Sequence, residues 1–301
     1  MSRVNERVVP FWKDSLMQIA AGGTAGFIEI CIMHPLDVVK TRFQFQRGFT
    51  QSNYTSISDC FQKIIKNEGF LSIYKGILPP ILAETPKRAT KFFTFEQYKT
   101  LFSFGSSVPT AQSLILAGLF AGLTEAIVVN PFEVVKVRLQ TDQQQFSKQK
   151  SSFGTAKLIF KEGGLGKNGL NRGLTATLGR HGIWNMIYFG FYHNIKVYIP
   201  KSDSKGMEYF WRCLTGFTAG SIASTVNIPW DVAKSRIQGY HADNAPRKYN
   251  TCIQTILLVH KEEGLRALFK GLSPKLLRLG PGGAIMMIAY EEIYNSLKQN
   301  F

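Results

Sequence analysis

The sequence has little of what usually makes a chain quick to classify. Its four cysteines, Cys31, Cys60, Cys213 and Cys252, stand far apart, with no Cys-x-x-Cys pair and no Cys/His set at ligand spacing. That argues against a disulfide scaffold or a metal site and points to free thiols in a reducing compartment. There is no nucleophile–base constellation and no phosphate-cradling loop, so neither enzymatic activity nor a cofactor is expected. No apolar run reaches 18 uninterrupted residues, and a simple scan for membrane spans hesitates. The opening MSRVNERVVPFWKD has neither the Arg- and Ser-rich character of a transit peptide nor the apolar core of a secretory signal, so any address is expected to be internal. Acids are scarce: 20 Asp+Glu face 36 Lys+Arg, a net charge of +16 over 301 residues.

What the chain does have is apolar and aromatic content, 45% and 13%, too much for a disordered basic tail. A mean hydropathy of −0.04 looks soluble, but helices enclosing a watery cavity carry polar residues inward and score low. Length alone suggests about two domains.

Internal repeats overturn that reading. Pro35-Leu-Asp37-Val-Val-Lys40-Thr-Arg42-Phe-Gln44 recurs as Pro131-Phe-Glu133-Val-Val-Lys136-Val-Arg138-Leu-Gln140 and as Pro229-Trp-Asp231-Val-Ala-Lys234-Ser-Arg236-Ile-Gln238, the prolines 96 and 98 residues apart. Each is preceded by a Gly-x-x-x-Gly pair, Gly22/Gly26, Gly118/Gly122 and Gly216/Gly220. Each is followed by an acid-glycine turn and a basic-glycine step: Glu68-Gly69 to Lys75-Gly76, Glu162-Gly163 to Arg172-Gly173, and Glu263-Gly264 to Lys270-Gly271. The second copy departs, with a longer spacer and Asn171 where the others have an aromatic residue.

The expected organisation is three repeats, residues 10–105, 106–200 and 205–301, forming one bundle. Each repeat reads as a long helix, a basic loop, a short amphipathic helix and a second long helix. Segments near 14–44, 73–100, 111–140, 172–198, 209–238 and 270–298 are long enough to cross about 30 Å of hydrocarbon at 1.5 Å per residue. The fold class is therefore an all-α membrane protein with six transmembrane helices. Three Gly-x-x-x-Gly faces predict three close helix contacts. Each proline predicts a break or kink.

The Pro-x-acid-x-x-base-x-base pattern, complete in all three copies, resembles the signature of the mitochondrial carrier family, and the resemblance covers essentially the whole chain. It implies a bundle of threefold pseudosymmetry around a central cavity, short helices on the matrix side, and alternating access across the mitochondrial inner membrane. By that analogy Asp37, Glu133 and Asp231 pair with Lys136, Lys234 and Lys40 to close a matrix gate, braced by Gln44, Gln140 and Gln238. At the other end the family's aromatic-acid-x-x-base motif is only partly matched. Phe95-Glu96-x-x-Lys99 fits, Tyr192-His193-x-x-Lys196 has His for the acid, and Tyr290-Glu291-x-x-Tyr294 has Tyr for the base. A cytoplasmic gate would then have at most two full pairs, Glu96 with Lys196 and Glu291 with Lys99, leaving His193 near Tyr294. It would be the weaker gate.

Aligning the repeats on Gly76, Gly173 and Gly271 puts Ala83, Arg180 and Arg278 seven residues on, and Lys87, Trp184 and Gly282 eleven residues on. The two positions share a helix face. The cavity set then comprises Lys87, Arg88 and Lys91 on one helix, Arg180 with His181 on another, and Arg278 on a third. Glu84, Trp184, Asn185 and Tyr188 are further candidates. A midplane cation costs at least about 2.5–3.5 kcal/mol on insertion scales, and binding of an anion, most simply a dicarboxylate, accounts for these being there unpaired. Glu29, Glu84 and Glu125 would either pair with nearby cations or take up protons during transport. Arg180-His181-Gly182, Arg278-Leu279-Gly280-Pro281-Gly282-Gly283 and the stretch 84–93 resemble the oxodicarboxylate-carrying branch of the family. That implies exchange of 2-oxoadipate and related C5–C7 compounds for 2-oxoglutarate, in a monomer with cardiolipin as a lipid partner. A carrier of malate or citrate is the alternative. A nucleic-acid-binding protein is the remote one, because the Lys and Arg residues recur at repeat positions instead of on one exposed face.

Overall fold

In a computed structural model the described residues are 11–46, 54–103, 110–196, 205–240 and 247–300. They form nine α-helices and no strand. Six are long: α1 (Phe11–Phe45), α3 (Leu78–Phe102), α4 (Ala111–Thr141), α6 (Leu174–Lys196), α7 (Lys205–Gln238) and α9 (Leu272–Asn300). Three are short: α2 (Ile57–Glu68), α5 (Ser152–Gly163) and α8 (Cys252–Glu263). The shortest long helix, 23 residues, spans about 35 Å. The long helices stand as a ring in which α3 packs on α4, α4 on α6, α6 on α7 and α9 back on α1.

Local sequence sets the ends of the short helices. Ser56 and Ser151 cap α2 and α5 by accepting from the backbone N–H groups of Asp59 and Gly154 at 3.1 Å, while Thr251 and Gln254 form a capping box on α8. The proline motifs do not break their helices. Pro35, Pro131 and Pro229 lie inside α1, α4 and α7, and each costs its helix one N–H···O bond. Just beyond them the long helix and the short helix of the same repeat share a small core. Val38 and Val39 meet Cys60 and Ile64, Val134 and Val135 meet Ile159, and Ala233 and Ile237 meet Val259.

The acid-glycine and basic-glycine steps are explained by what they bind. Glu68 accepts from Arg42 at 2.7 Å and from Lys75 at 2.5 Å. Glu162 takes Arg138 at 3.0 Å and Arg172 at 3.5 Å, and Glu263 takes Arg236 at 2.9 Å and Lys270 at 3.1 Å. In every repeat the second base of the proline motif is thus held by the acid that ends the short helix. Burial pulls the Lys75 ammonium below its ordinary value and Arg172 down to about 10. In the second repeat the longer spacer replaces the 3₁₀ turn of the other two, and Asn171 closes it by donating to the Leu165 carbonyl at 2.8 Å.

The repeats are locked to one another in a cycle. Gly271, at φ +82°, lies against the Lys40 carbonyl and the Gln44 side chain, so close that an added Cβ would stand 2.8 Å from Gln44 Cγ. Only glycine fits both that backbone conformation and that approach. Gly76 lies in the same way against Gln140, and Gly173 against Gln238.

The three Gly-x-x-x-Gly faces do not behave alike, and the expectation of three close helix contacts is corrected. A Cβ on Gly122 would meet the His181 carbonyl oxygen at 2.6 Å, and one on Gly118 would meet Phe189 at 2.9 Å, so α4 and α6 are backbone-close. Gly22 has nothing within 4 Å, and Gly26 faces the Glu84 and Arg88 side chains at 3.4 and 3.5 Å. Gly220 meets only the flexible end of Leu279, while Gly216 is loosely placed. Long charged side chains fill the space beside α1 that a backbone fills beside α4.

Large apolar side chains point outward along the long helices, among them Phe27, Ile32, Phe92, Phe93, Ile127, Phe217, Val226, Leu277 and Ile288. Among the described residues only α1 and α4 are apolar enough to read as membrane spans by mean hydropathy. The others turn charged residues such as Lys87, Arg180, Asp231 and Arg278 into the interior of the ring, as a bundle with a polar interior requires.

Candidate substrate site and gate

The proline motifs of α1, α4 and α7 converge at the end of the ring where the short helices lie. Lys136 Nζ donates to Asp37 Oδ2 at 2.7 Å, Lys234 to Glu133 Oε2 at 2.7 Å, and Lys40 reaches Asp231 Oδ2 at 3.3 Å. Each pair joins one repeat to the next, so together they close the ring.

The glutamines are placed differently from the expected braces. Gln44 Oε1 accepts from Ser235 at 2.8 Å and Gln140 Oε1 from Thr41 at 2.7 Å. Each therefore grips the hydroxyl residue that follows a lysine of the ring-closing pairs. In the remaining repeat Val137 stands in that place and offers no hydroxyl. Gln238 turns instead to Asn130 Oδ1 and the Arg172 carbonyl, both at 3.0 Å. The amides fasten the helix ends beside the pairs, not the pairs themselves.

Above this floor lies a cavity of about 410 Å³. Its lining includes both aligned layers: Ala83, Arg180 and Arg278 at seven residues, and Lys87, Trp184 and Gly282 at eleven. Glu84, Arg88 and His181 line it too. A side cavity of about 220 Å³ adjoins it, carrying Lys91 and Asn185. Tyr188 is not among the lining residues of either; it stacks on Trp184 with centroids 4.8 Å apart.

The cations are not the unpaired remainder that the sequence suggested. Arg180 is bonded to Glu133 and lies 3.8 Å from Asp231, and Arg278 is 2.9 Å from Glu29 and 3.2 Å from Asp37. Both arginines thus hold carboxylates of the ring-closing pairs. Arg88 donates to Glu84 at 2.5 Å and Lys87 stands 3.8 Å from it. Lys91 Nζ sits over the rings of Trp184 and Phe189, at 5.2 and 5.7 Å. The reason is solvation: a cation in a narrow cavity recruits the nearest carboxylate or ring face. All three additional acids have partners, since Glu125, 1% exposed, lies 3.2 Å from His181 Nδ1.

One cation escaped the sequence reading. Lys275 donates to Asp231 Oδ2 at 2.7 Å. It lies three residues before Arg278, on the same helix face, and that spacing was the available signal.

At the opposite end the expected Glu291–Lys99 pair is not formed, while the expected Glu96–Lys196 pair falls on a side chain outside the described residues. Lys99 bonds Glu96 within its own helix, Glu291 is exposed, and Tyr290 stacks on Tyr294 at 5.9 Å. The side chains of His193 and Lys196 lie outside the described residues.

Comparison with known proteins agrees with this architecture. The family model described as "Mitochondrial carrier protein" matches residues 11–106, 107–203 and 206–301. The Mitochondrial 2-oxodicarboxylate carrier of Bos taurus is 56% identical over 97% of this chain and 98% of its own, and that of Homo sapiens 56% identical over 96% and 97%. Mitochondrial 2-oxodicarboxylate carrier 2 of Saccharomyces cerevisiae is 38% identical over 97% of this chain and 95% of its own. With three matched repeats, three ion pairs closing one end and a charged cavity above them, the chain belongs to the mitochondrial carrier family.

Proposed function

We propose that this protein is an antiporter of the mitochondrial inner membrane that exchanges C5–C7 2-oxodicarboxylates, such as 2-oxoadipate, for 2-oxoglutarate. The observation that carries the reading is the charge balance of the main cavity. Its lining includes Lys40, Lys87, Arg88, Lys136, Arg180, Lys234, Lys275 and Arg278 against Glu29, Asp37, Glu84, Glu133 and Asp231, eight cations to five carboxylates. An excess of three positive charges suits a dianion. The names of the relatives supply the 2-oxodicarboxylate class.

The geometry suggests how binding is tied to gating. Arg180 and Arg278 are the fork-shaped donors best matched to a carboxylate, and both are occupied by the protein's own acids. A substrate carboxylate that takes either arginine leaves a gate acid with one cation fewer. Binding energy is then spent on loosening the closed end, which is how a carrier couples occupancy to a change of state. His181, joined to Glu125 and 3.7 Å from Glu133, orients the Arg180 side of the site. One chain holds the complete ring, which supports a monomeric unit; cardiolipin is the lipid partner that the family resemblance implies.

The test is reconstitution into liposomes loaded with 2-oxoglutarate, with uptake of labelled 2-oxoadipate measured against malate and citrate. Saturable counter-exchange of 2-oxoadipate is expected. Exchange of malate or citrate without 2-oxoadipate would reassign the substrate within the family.

A further inference from the structure

The gate is threefold in design but not in occupancy. Asp37 and Glu133 each have their ring lysine at 2.7 Å, whereas Lys40 stands 3.3 Å from Asp231 Oδ2 because Lys275 holds the same oxygen at 2.7 Å. Arg180 Nε faces the other oxygen at 3.8 Å. Asp231 is thus approached by three cations. The places equivalent to Lys275, four residues after the repeat glycine, are Pro80 and Thr177, so neither other repeat has a competitor of this kind. Lys275 lines both the main and the side cavity, as Arg180 does, and its side chain is 13% exposed. Its one other contact among the described residues is the Ser224 carbonyl at 3.4 Å.

We infer that Lys275 is a specificity and coupling residue: the cation that a substrate carboxylate takes over from Asp231, with Arg180 as the other jaw. This rests on the anion-exchange reading above and deepens it. Lys275 is the easiest of the site's cations to give up, because its departure leaves Asp231 with its ring lysine, Lys40, still in reach. It is also well placed to receive an anion, at the junction of the two cavities. When Lys275 turns to the substrate, Asp231 Oδ2 loses its 2.7 Å partner and is left with Lys40 at 3.3 Å, so the third ring pair is the one that binding leaves weakest. No covalent step is involved. Only the partner of one ammonium group changes.

The test has two readouts on purified full-length protein. The first is the rise in melting temperature given by acetate, glutarate, 2-oxoglutarate, malate and citrate. The second is KM and kcat for exchange of whichever anion stabilises the wild type. Lys275→Gln is expected to raise KM at least tenfold and to abolish most of the anion-induced rise, with the anion-free melting temperature within a few degrees of wild type. Lys275→Arg is expected to restore KM to within about threefold. If Lys275→Gln does not fold, Lys275→Thr, which installs the residue of the second repeat, reads the same ratio. A KM within twofold of wild type in the neutral variant would overturn the inference, and so would a fall in kcat alone, equal in Gln and Arg variants, as a purely structural lysine would give. Failure of the substrate reading shows separately, as a wild type stabilised by malate or citrate and not by 2-oxoglutarate.

Discussion

Two glycines of the Gly-x-x-x-Gly motifs, the first of one repeat and the second of the next, are expected to respond in opposite ways to one added methyl group. At Gly122 the new Cβ would lie 2.6 Å from the His181 carbonyl oxygen, 2.7 Å from Asn185 Nδ2 and 2.9 Å from the His181 carbonyl carbon. Two of those atoms are backbone and cannot rotate away, so α4 and α6 must part by roughly half an ångström or more to reach ordinary contact, the kind of overpacking that costs about 1–3 kcal/mol. The alanine recovers up to about 1 kcal/mol of helix propensity, leaving a net loss of about 1–2 kcal/mol. At Gly22 nothing lies within 4 Å, so only the propensity gain of up to about 1 kcal/mol applies. The assay is thermal unfolding in detergent of Gly22→Ala, Gly122→Ala and wild type side by side. At about 2–4 °C per kcal/mol for a large domain, Gly122→Ala should melt several degrees lower, and Gly22→Ala should melt at or slightly above wild type. Exchange should fall in the first and persist in the second, since part of His181 moves with α6. Equal shifts in the two variants would refute the claim that only the second repeat brings its helices backbone to backbone.

Other consequences are open to direct measurement. Reversing the charges at one gate pair, Asp37→Lys with Lys136→Asp, should recover a substantial share of the exchange that either single change abolishes, and no recovery would separate the pair from the gate. Removing a buried acid that holds two cations should matter far more than removing an exposed one: Glu68→Ala is expected to cost about 3 kcal/mol or more, whereas Glu262→Ala, whose partner Lys248 is 43% exposed, should cost under about 0.5 kcal/mol, with melting curves as the check. Burial pushes the Cys60 and Cys252 thiols up to about 12 and about 11, so at pH 8 their thiolate fractions fall below about 0.1%, against about a fifth for an ordinary thiol. A water-soluble maleimide should therefore modify exposed Cys213 first and reach Cys60 and Cys252 only on unfolding, when the burial that raises their thiols is lost. Arg278→Ala should abolish exchange while leaving the protein folded, because Asp37 keeps Lys136 at 2.7 Å; full activity would end its assignment to the substrate site.

The repeat architecture and the closed end were legible in the sequence because both depend on residues that recur. Three copies of Pro-x-acid-x-x-base mark the helices that carry the closing residues, whereas the crossed pairs Asp37–Lys136, Glu133–Lys234 and Asp231–Lys40 are what the family resemblance implies, and the structure forms them. What repetition hides is how the copies differ. The looseness at Gly26 against the tightness at Gly122, its equivalent in the second repeat, depends on neighbours far away in the chain, Glu84 and Arg88 in one case and His181 in the other. The same holds for Gln238, which loses its expected place because Val137 replaces a hydroxyl residue on another repeat. The cavity cations were found by depth alignment, but their partners were not, since an arginine reads as unpaired until the fold brings Glu133 or Glu29 beside it. Lys275 was passed over because its equivalents, Pro80 and Thr177, carry no charge and repeat comparison rewards likeness.

The glycine–glutamine contacts also constrain the order of assembly. Gly76 seats on Gln140 and Gly173 on Gln238, each repeat being completed by the one that follows. The third, Gly271, is completed by Gln44 of the first, whose side chain also accepts from Ser235, 191 residues further along the chain. The earliest repeat to be synthesised is therefore the last to be finished: its Gln44 stands without either partner until nearly the whole polypeptide has been made. Closing so long a loop is slow, and a truncated chain that stops before Gly271 lacks the joint that shuts the ring. Completion of the circle thus doubles as a check that the whole protein is present.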